Sequence, residues 1–228
     1  VPTLLISGTD TNVGKTVATT ALVAYWQRHR PLQRVALCKP VQTGTGDREL
    51  FQHLFDLDQA PELINPLQYQ APLAPPLAAA QEGREIDLAL VWNTLQTLQQ
   101  TYDWVFVEAL GGLGSPVTAE LTVADLARDW CLPTVLVVPV RLGAIGQAVA
   151  HVALAHYTGV SVKGVILNCG QPCTAQELEQ WAPQTFIQSL TQTPVLGVIP
   201  YLSQSTDLTQ LAQAAANLAL EVLTRLEK

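Results

Sequence analysis

Near the amino end, Gly8-Thr9-Asp10-Thr11-Asn12-Val13-Gly14-Lys15-Thr16 forms a glycine-bounded loop that closes on Gly-Lys-Thr. Set between a strand and a helix, such a loop aims successive backbone N–H groups and the positive end of a helix at an anion. Lys15 adds a full positive charge for the outer phosphates of a nucleoside triphosphate, and the Thr16 hydroxyl can hold Mg²⁺. Asn12, Val13, Gly14, Lys15, Thr16 and Val17 are therefore expected to wrap ATP. The spacing departs from the plain consensus. Counted from Gly8 the loop is one residue too long; counted from Thr9 it has threonine where glycine is usual.

Other chemistry-bearing residues stand just after apolar runs. Lys39 follows Arg34–Cys38, where an ammonium can stabilise charge that develops during phosphoryl transfer, although a lysine at a strand end is ordinary by itself. Glu108 ends the run Trp104–Val107, and a carboxylate so placed needs a partner or a metal to offset desolvation. Asp47 precedes Arg48-Glu49-Leu50, a pattern that suits a helix N-cap as well as a metal ligand. Asn168 follows another apolar run and carries the paired donor and acceptor groups that meet a base edge. Cys169 and Cys173 lack the companion pair of a zinc site, and His29, His53, His151 and His156 share no motif.

The elements that must position these groups alternate. Strands are expected at Thr3–Ser7, Arg34–Cys38, Trp104–Glu108, Thr134–Val138, Val162–Asn168 and Val195–Ile199. Most are continuous apolar runs, as in a parallel sheet covered on both faces. Helices are expected at Gly14–Arg28, Arg48–Asp56, Leu88–Tyr102, Leu121–Trp130, Ala144–Tyr157, Ala175–Trp181 and Asp207–Leu226. The alternation gives an α/β fold with a mostly parallel central sheet, helices on both faces and right-handed crossovers. No linker divides the chain, so residues 1–228 read as one domain. Pro61–Pro76, with five prolines, reads as an ordered surface excursion. In an open sheet of this class ligands sit beyond the carboxyl ends of the strands, where the polar and glycine-rich residues lie.

Composition narrows the partners. A formal charge of −7 argues against a nucleic-acid surface. No apolar run reaches membrane-spanning length, and Val1-Pro2-Thr3 enters a strand without the marks of a signal peptide. Four cysteines in a chain this long do not make a disulfide framework, so reduced thiols in the cytoplasm are expected.

Four stretches carry a family resemblance. Gly8–Thr16 resembles the Gly-Thr-Asp-Thr-x-Val-Gly-Lys-Thr motif of the dethiobiotin synthases, a branch of P-loop proteins related to the cobyrinate amidases. Cys38-Lys39-Pro40-Val41-Gln42-Thr43-Gly44 resembles that family's Lys-Pro-x-x-Ser/Thr-Gly motif, and Val107-Glu108-Ala109-Leu110-Gly111-Gly112 its Val-Glu-Gly-Ala-Gly-Gly. Asn168 and Ile199-Pro200-Tyr201-Leu202 are similar to its adenine-side segments. The resemblance implies a P-loop NTPase fold and ATP-dependent carboxylation of 7,8-diaminononanoate by CO₂, closing the ureido ring of dethiobiotin. It implies catalytic roles for Lys39, Lys15 and Thr11, and a hydroxyl from Thr43 on the substrate amine or carbamate. It places Mg²⁺ at Thr16, Asp47 and Glu108, and adds Gly111, Pro200, Tyr201, Leu202 and Asp207 to the ATP contacts; Asp207 also suits a helix cap. It further implies a homodimer in which Leu142, Gly143, Ala144 and Ile145 of the second subunit bind the substrate carboxylate.

Two positions depart from the family pattern. Ala109 and Leu110 stand where the family has Gly-Ala, and side chains there restrict a loop expected to pass close to phosphate. Asn12 stands where glutamate is frequent. Two rival readings remain open at this level. One is a partition-type nucleotide switch, which favours a membrane-seeking tail or a basic patch; the other is an amidase-type relative, which usually carries a glutamine-hydrolysing domain. The final helix, rich in Ala, Leu and Gln, reads instead as a packing helix.

Overall fold

The computed structural model describes residues 1–224. Its strands are β1 (Thr3–Gly8), β2 (Val35–Cys38), β3 (Val41–Thr43), β4 (Leu67–Tyr69), β5 (Trp104–Gly112), β6 (Thr134–Pro139), β7 (Val162–Asn168) and β8 (Val195–Ile199). The longer helices are α1 (Lys15–His29), α2 (Asp47–Leu54), α4 (Pro75–Gln81), α5 (Leu88–Thr101), α6 (Val123–Asp129), α7 (Ala144–Thr158), α8 (Ala175–Trp181), α9 (Gln184–Thr191) and α10 (Leu208–Ala216); α3 (Pro61–Ile64) and α11 (Glu221–Thr224) are single turns.

Six strands form one parallel sheet in the order β2-β5-β1-β6-β7-β8. Because side chains alternate across a strand, each strand feeds two cores. Leu5, Val105, Val107, Leu136 and Val138 pack with Val91, Leu95 and Leu98 of α5, Ala124 of α6 and Val152 of α7. Leu4, Ile6, Trp104, Phe106, Val135 and Val137 pack on the other face with Leu22 and Trp26 of α1 and Leu211 of α10. Both faces being covered explains why the strands read as continuous apolar runs. The crossovers diverge at β1, which lies between β5 and β6, so a cleft opens beyond its carboxyl end.

The structure departs from the expected elements in four places. Pro61–Pro76 is not merely a surface excursion: α3 and β4 lie within it, α4 begins at Pro75, and Tyr69 is fully buried. β4 pairs in parallel with β3, and three-residue strands are too short to show a period. Asp47 is the first residue of α2 and not its cap; the cap is Gly46, whose N–H is taken by the Glu49 carboxylate at 2.9 Å. The expected helix Asp207–Leu226 breaks after Ala216. There Ala219 N–H donates to the Leu196 carbonyl on edge strand β8 at 2.8 Å, and Leu218 and Leu220 turn inward, so edge pairing and burial override helical continuity. The expected end at Leu226 lies outside the described residues. Finally, α9 forms where no element was assigned from the sequence, on a face that buries Ile187 and Thr191.

Trp26 is fully buried, with ring centroids 4.7 Å from Trp104 and 5.3 Å from Phe106. Trp26→Ala removes the centre of this cluster and is expected to cost about 3–5 kcal/mol in urea unfolding. A loss below about 1 kcal/mol would show that the α1 face does not anchor the sheet.

Candidate active site

The Gly8–Thr16 loop leaves β1 and enters α1 without a side-chain cap. Gly14 takes that position in the left-handed region (φ 96°), and a Cβ there would sit 2.0 Å from the Asn168 amide nitrogen. Glycine is thus required twice, for conformation and for space. Asn12 is also left-handed, at φ 57°. Lys15, the first residue of α1, is buried and reaches back across the loop, its Nζ donating to the Asp10 carbonyl at 2.8 Å. The loop is a closed ring before any anion enters it.

Around this ring the sheet delivers two carboxylates and a second lysine. Glu108 on β5 pairs with Ile6 of β1 and is fully buried. Lys39, one residue beyond β2, is also buried. Its Nζ lies 2.7 Å from Glu108 Oε1, 2.9 Å from Asp47 Oδ2 and 3.4 Å from the Ala109 carbonyl. Burial alone would lower the Lys39 pKa, but the Glu108 and Asp47 charges and hydrogen bonds outweigh it and raise the value, so the ammonium stays charged. Lys15 goes the other way: burial first, then repulsion from Lys39, lower it to about 8 against the pull of Glu108, Asp47 and Asp10.

The Thr16 hydroxyl donates to Glu108 Oε1 at 3.0 Å and lies 3.4 Å from Asp47 Oδ1. Glu108 Oε2 is buried without a hydrogen-bond partner. Two carboxylates, one of them with an orphaned oxygen, and a hydroxyl make a hard-oxygen donor set that fits Mg²⁺, which normally completes its shell with water and phosphate oxygens. Among the described residues no group of three or more His, Cys, Asp or Glu side chains is placed to hold a metal ion.

A cavity of about 430 Å³ unites most of the expected residues. Thr11, Asn12, Gly14, Lys15, Thr16 and Val17 line it from the loop side, and Lys39, Thr43, Asp47, Glu108 and Gly111 from the other. Val41 and Leu110 complete the wall; being apolar, they gave no chemical signal in the sequence. Ala109 and Leu110 belong to β5, not to a loop, and the Ala109 side chain is buried in the core. Extended backbone accepts a side chain at both positions without conformational strain. Gly111 is the demanding one, with φ 54° and Ser115 Oγ 2.1 Å from where a Cβ would stand.

Other expected residues lie apart from this cavity. The buried Asn168 amide donates to the Val13 carbonyl at 3.1 Å and so braces the loop. Pro200 and Tyr201 line a separate hollow with Cys169, and Leu202 packs toward the α1 face. Asp207 caps α10, accepting from Thr209 and Gln210 N–H at 2.8 and 3.2 Å. Leu142 and Gly143 are exposed, Ala144 is buried and Ile145 half-buried at the start of α7; none of the four lines the cavity of their own chain. That helix start adjoins the back of the loop, where Thr9 Oγ1 lies 3.4 Å from Gln147 Oε1.

Comparison with known proteins places the chain in a family. An AAA-domain family model matches residues 2–209. An ATP-dependent dethiobiotin synthetase of Gloeothece citriformis is 56% identical over 96% of this chain and 97% of its own length. The enzyme of the same name from Synechocystis sp. is 54% identical over 97% and 94%. Among solved structures, a chain of the MinC:MinD cell division protein complex of Aquifex aeolicus superposes with a TM-score of 0.59 at 15% identity, over 99% of this chain and 96% of that one, a likeness of fold alone. A loop sequence, a buried lysine–carboxylate pair and near-full-length identity converge, and the chain belongs to the dethiobiotin synthetase family.

Proposed function

We propose that residues 1–228 act as one ATP-binding domain that carboxylates 7,8-diaminononanoate with CO₂ and closes the ureido ring of dethiobiotin. The observation that carries this reading is the Lys39 ammonium, buried between Glu108 and Asp47 and facing the same cavity as the phosphate loop.

One substrate amine attacks CO₂ and loses a proton, giving a carbamate. A carbamate oxygen then takes the γ-phosphoryl group of ATP, and ADP departs. The neighbouring amine attacks the carbamoyl carbon and gives up a proton, phosphate leaves with the C–O bond pair, and the ring closes. Lys39 and Lys15, both buried, supply fixed positive charge against the carbamate and the phosphoryl oxygens. Thr11 and Thr43, on the cavity wall, offer hydroxyls to the amine or carbamate. Thr16, Asp47 and Glu108 would hold Mg²⁺, which when bound neutralises phosphate charge. Asn168, Pro200, Tyr201, Leu202 and Asp207 are assigned to the adenine side.

The partner assignment is a homodimer. Gly146, Ala150, Ala153 and Tyr157 form an exposed, largely apolar stripe at helical spacing on α7, and Leu142 is 85% exposed beside it. In this reading the stripe is buried against a second copy, and residues 142–145 at the start of the same helix serve the partner's cavity. The compartment assigned is the cytoplasm, in keeping with four free thiols; no helix among the described residues is long and apolar enough to cross a membrane.

Phosphate release should require the diamine and bicarbonate together; release from ATP alone at a comparable rate would point to a switch. Lys39→Ala should lower ring closure by at least about a hundredfold while the far-ultraviolet spectrum stays unchanged. Full turnover in that variant removes Lys39 from the mechanism. Ala153→Glu should shift the sedimenting species from dimer to monomer and reduce activity at least about tenfold, because a carboxylate cannot be buried unpaired in an interface. An unchanged dimer would place the interface elsewhere.

A further inference from the structure

Lys39 belongs to neither flanking strand: β2 ends at Cys38 and β3 begins at Val41. Pro40 follows it, so the next peptide has no N–H to offer. Both backbone groups of Lys39 therefore need partners from outside the sheet. They find them in the proline-rich segment. Lys39 N–H donates to the Ile64 carbonyl at 2.6 Å, and the Lys39 carbonyl accepts from Asn65 Nδ2, also at 2.6 Å. The same Nδ2 donates to the Leu67 carbonyl, the first residue of β4, at 3.1 Å.

Asn65 is only 4% exposed, and its Oδ1 has no partner. With two carbonyl oxygens facing it, the side chain must turn its NH₂ toward them and leave its own oxygen orphaned. An orphaned buried oxygen is destabilising, so an asparagine here is expensive unless the contact it makes matters. We propose that Asn65 is a positioning residue for Lys39: its amide locks the backbone from which the catalytic ammonium reaches Glu108 and Asp47. Through Leu67 it also ties β4, and with it the wall strand β3, to the same point. The inference rests on the catalytic role given to Lys39 above.

The experiment compares Asn65→Ala and Asn65→Asp with the unaltered protein by initial rates of ring closure, KM for ATP and melting temperature. It adds Asn65→Ala on a Lys39→Ala background, read by single-turnover incorporation of labelled bicarbonate. Asn65→Ala should lower kcat by about ten- to a hundredfold, with KM for ATP held within about twofold, because small displacements of a catalytic group are costly while the phosphate loop is untouched. Asn65→Asp should do worse, since it sets a carboxylate against two carbonyl oxygens. On the Lys39→Ala background, Asn65→Ala should cost nothing more, as expected of groups that act through one another. The proposal is overturned if kcat stays within twofold in Asn65→Ala. It is also overturned if kcat, ATP affinity and melting temperature fall together, or if the loss recurs in full without Lys39. If Lys39→Ala itself turns over normally, the reading of the site fails before Asn65 is tested.

Discussion

The structure turns on a buried ion pair. Glu108 is wholly removed from solvent, and its partner Lys39 nearly so, at 2.7 Å. Such a pair does not by itself stabilise a fold, because taking both charges out of water costs about as much as their attraction returns. Hydrophobic residues of the same size would hold β2 to β5 at least as well. The pair makes sense as a site: the geometry fixes an ammonium and a carboxylate at the mouth of the sheet and leaves one carboxylate oxygen without a partner. Much of the architecture serves to hold those atoms in register. β5 and β1 align Glu108 with Ile6, two residues before the loop begins at Gly8. α2 brings Asp47 to 2.9 Å from the same ammonium.

What the sequence disclosed follows from where the constraints are local. The phosphate loop was legible because its demands fall on consecutive residues: glycine where φ is positive, lysine at the helix start, threonine after it. The strands were legible because both faces of each are buried. Glu108 could be recognised from the apolar run before it. The partnership of Lys39 with Glu108 and Asp47 could not be read directly from spacing, since 69 residues separate the first two, and the family resemblance alone tied them to one site. The short strands β3 and β4 escaped for a related reason. Their stability comes from pairing with each other and from the buried Tyr69, not from any period within three residues. The break after Ala216 escaped because the partner of Ala219 N–H is the Leu196 carbonyl on the sheet edge.

The departures from the family pattern show how backbone geometry decides what a position tolerates. Residues 109 and 110 looked restrictive while they were imagined in a loop. In an extended strand their side chains simply join the core and the cavity wall. Gly111 and Gly14 are different, because each combines positive φ with a neighbour, Ser115 or Asn168, where a Cβ would have to stand. The glycines that matter are those at which the chain passes another atom, whatever the motif around them says.

Charge balance then constrains how the proposed site takes a nucleotide. Lys15 and Lys39 together offset Glu108 and Asp47, so the site is close to neutral before a triphosphate arrives. The lowered Lys15 pKa reflects that the second lysine and burial already strain its charge. A triphosphate cannot be neutralised by these two cations while they also serve the carboxylates. It needs the loop's backbone N–H groups and a further cation, and the unpartnered Glu108 oxygen beside the Thr16 hydroxyl is where the protein has donors left to hold one. In the proposed site the acidic residues at the mouth of the sheet would thus tie triphosphate binding to a further cation, while their charges hold the Lys39 ammonium protonated.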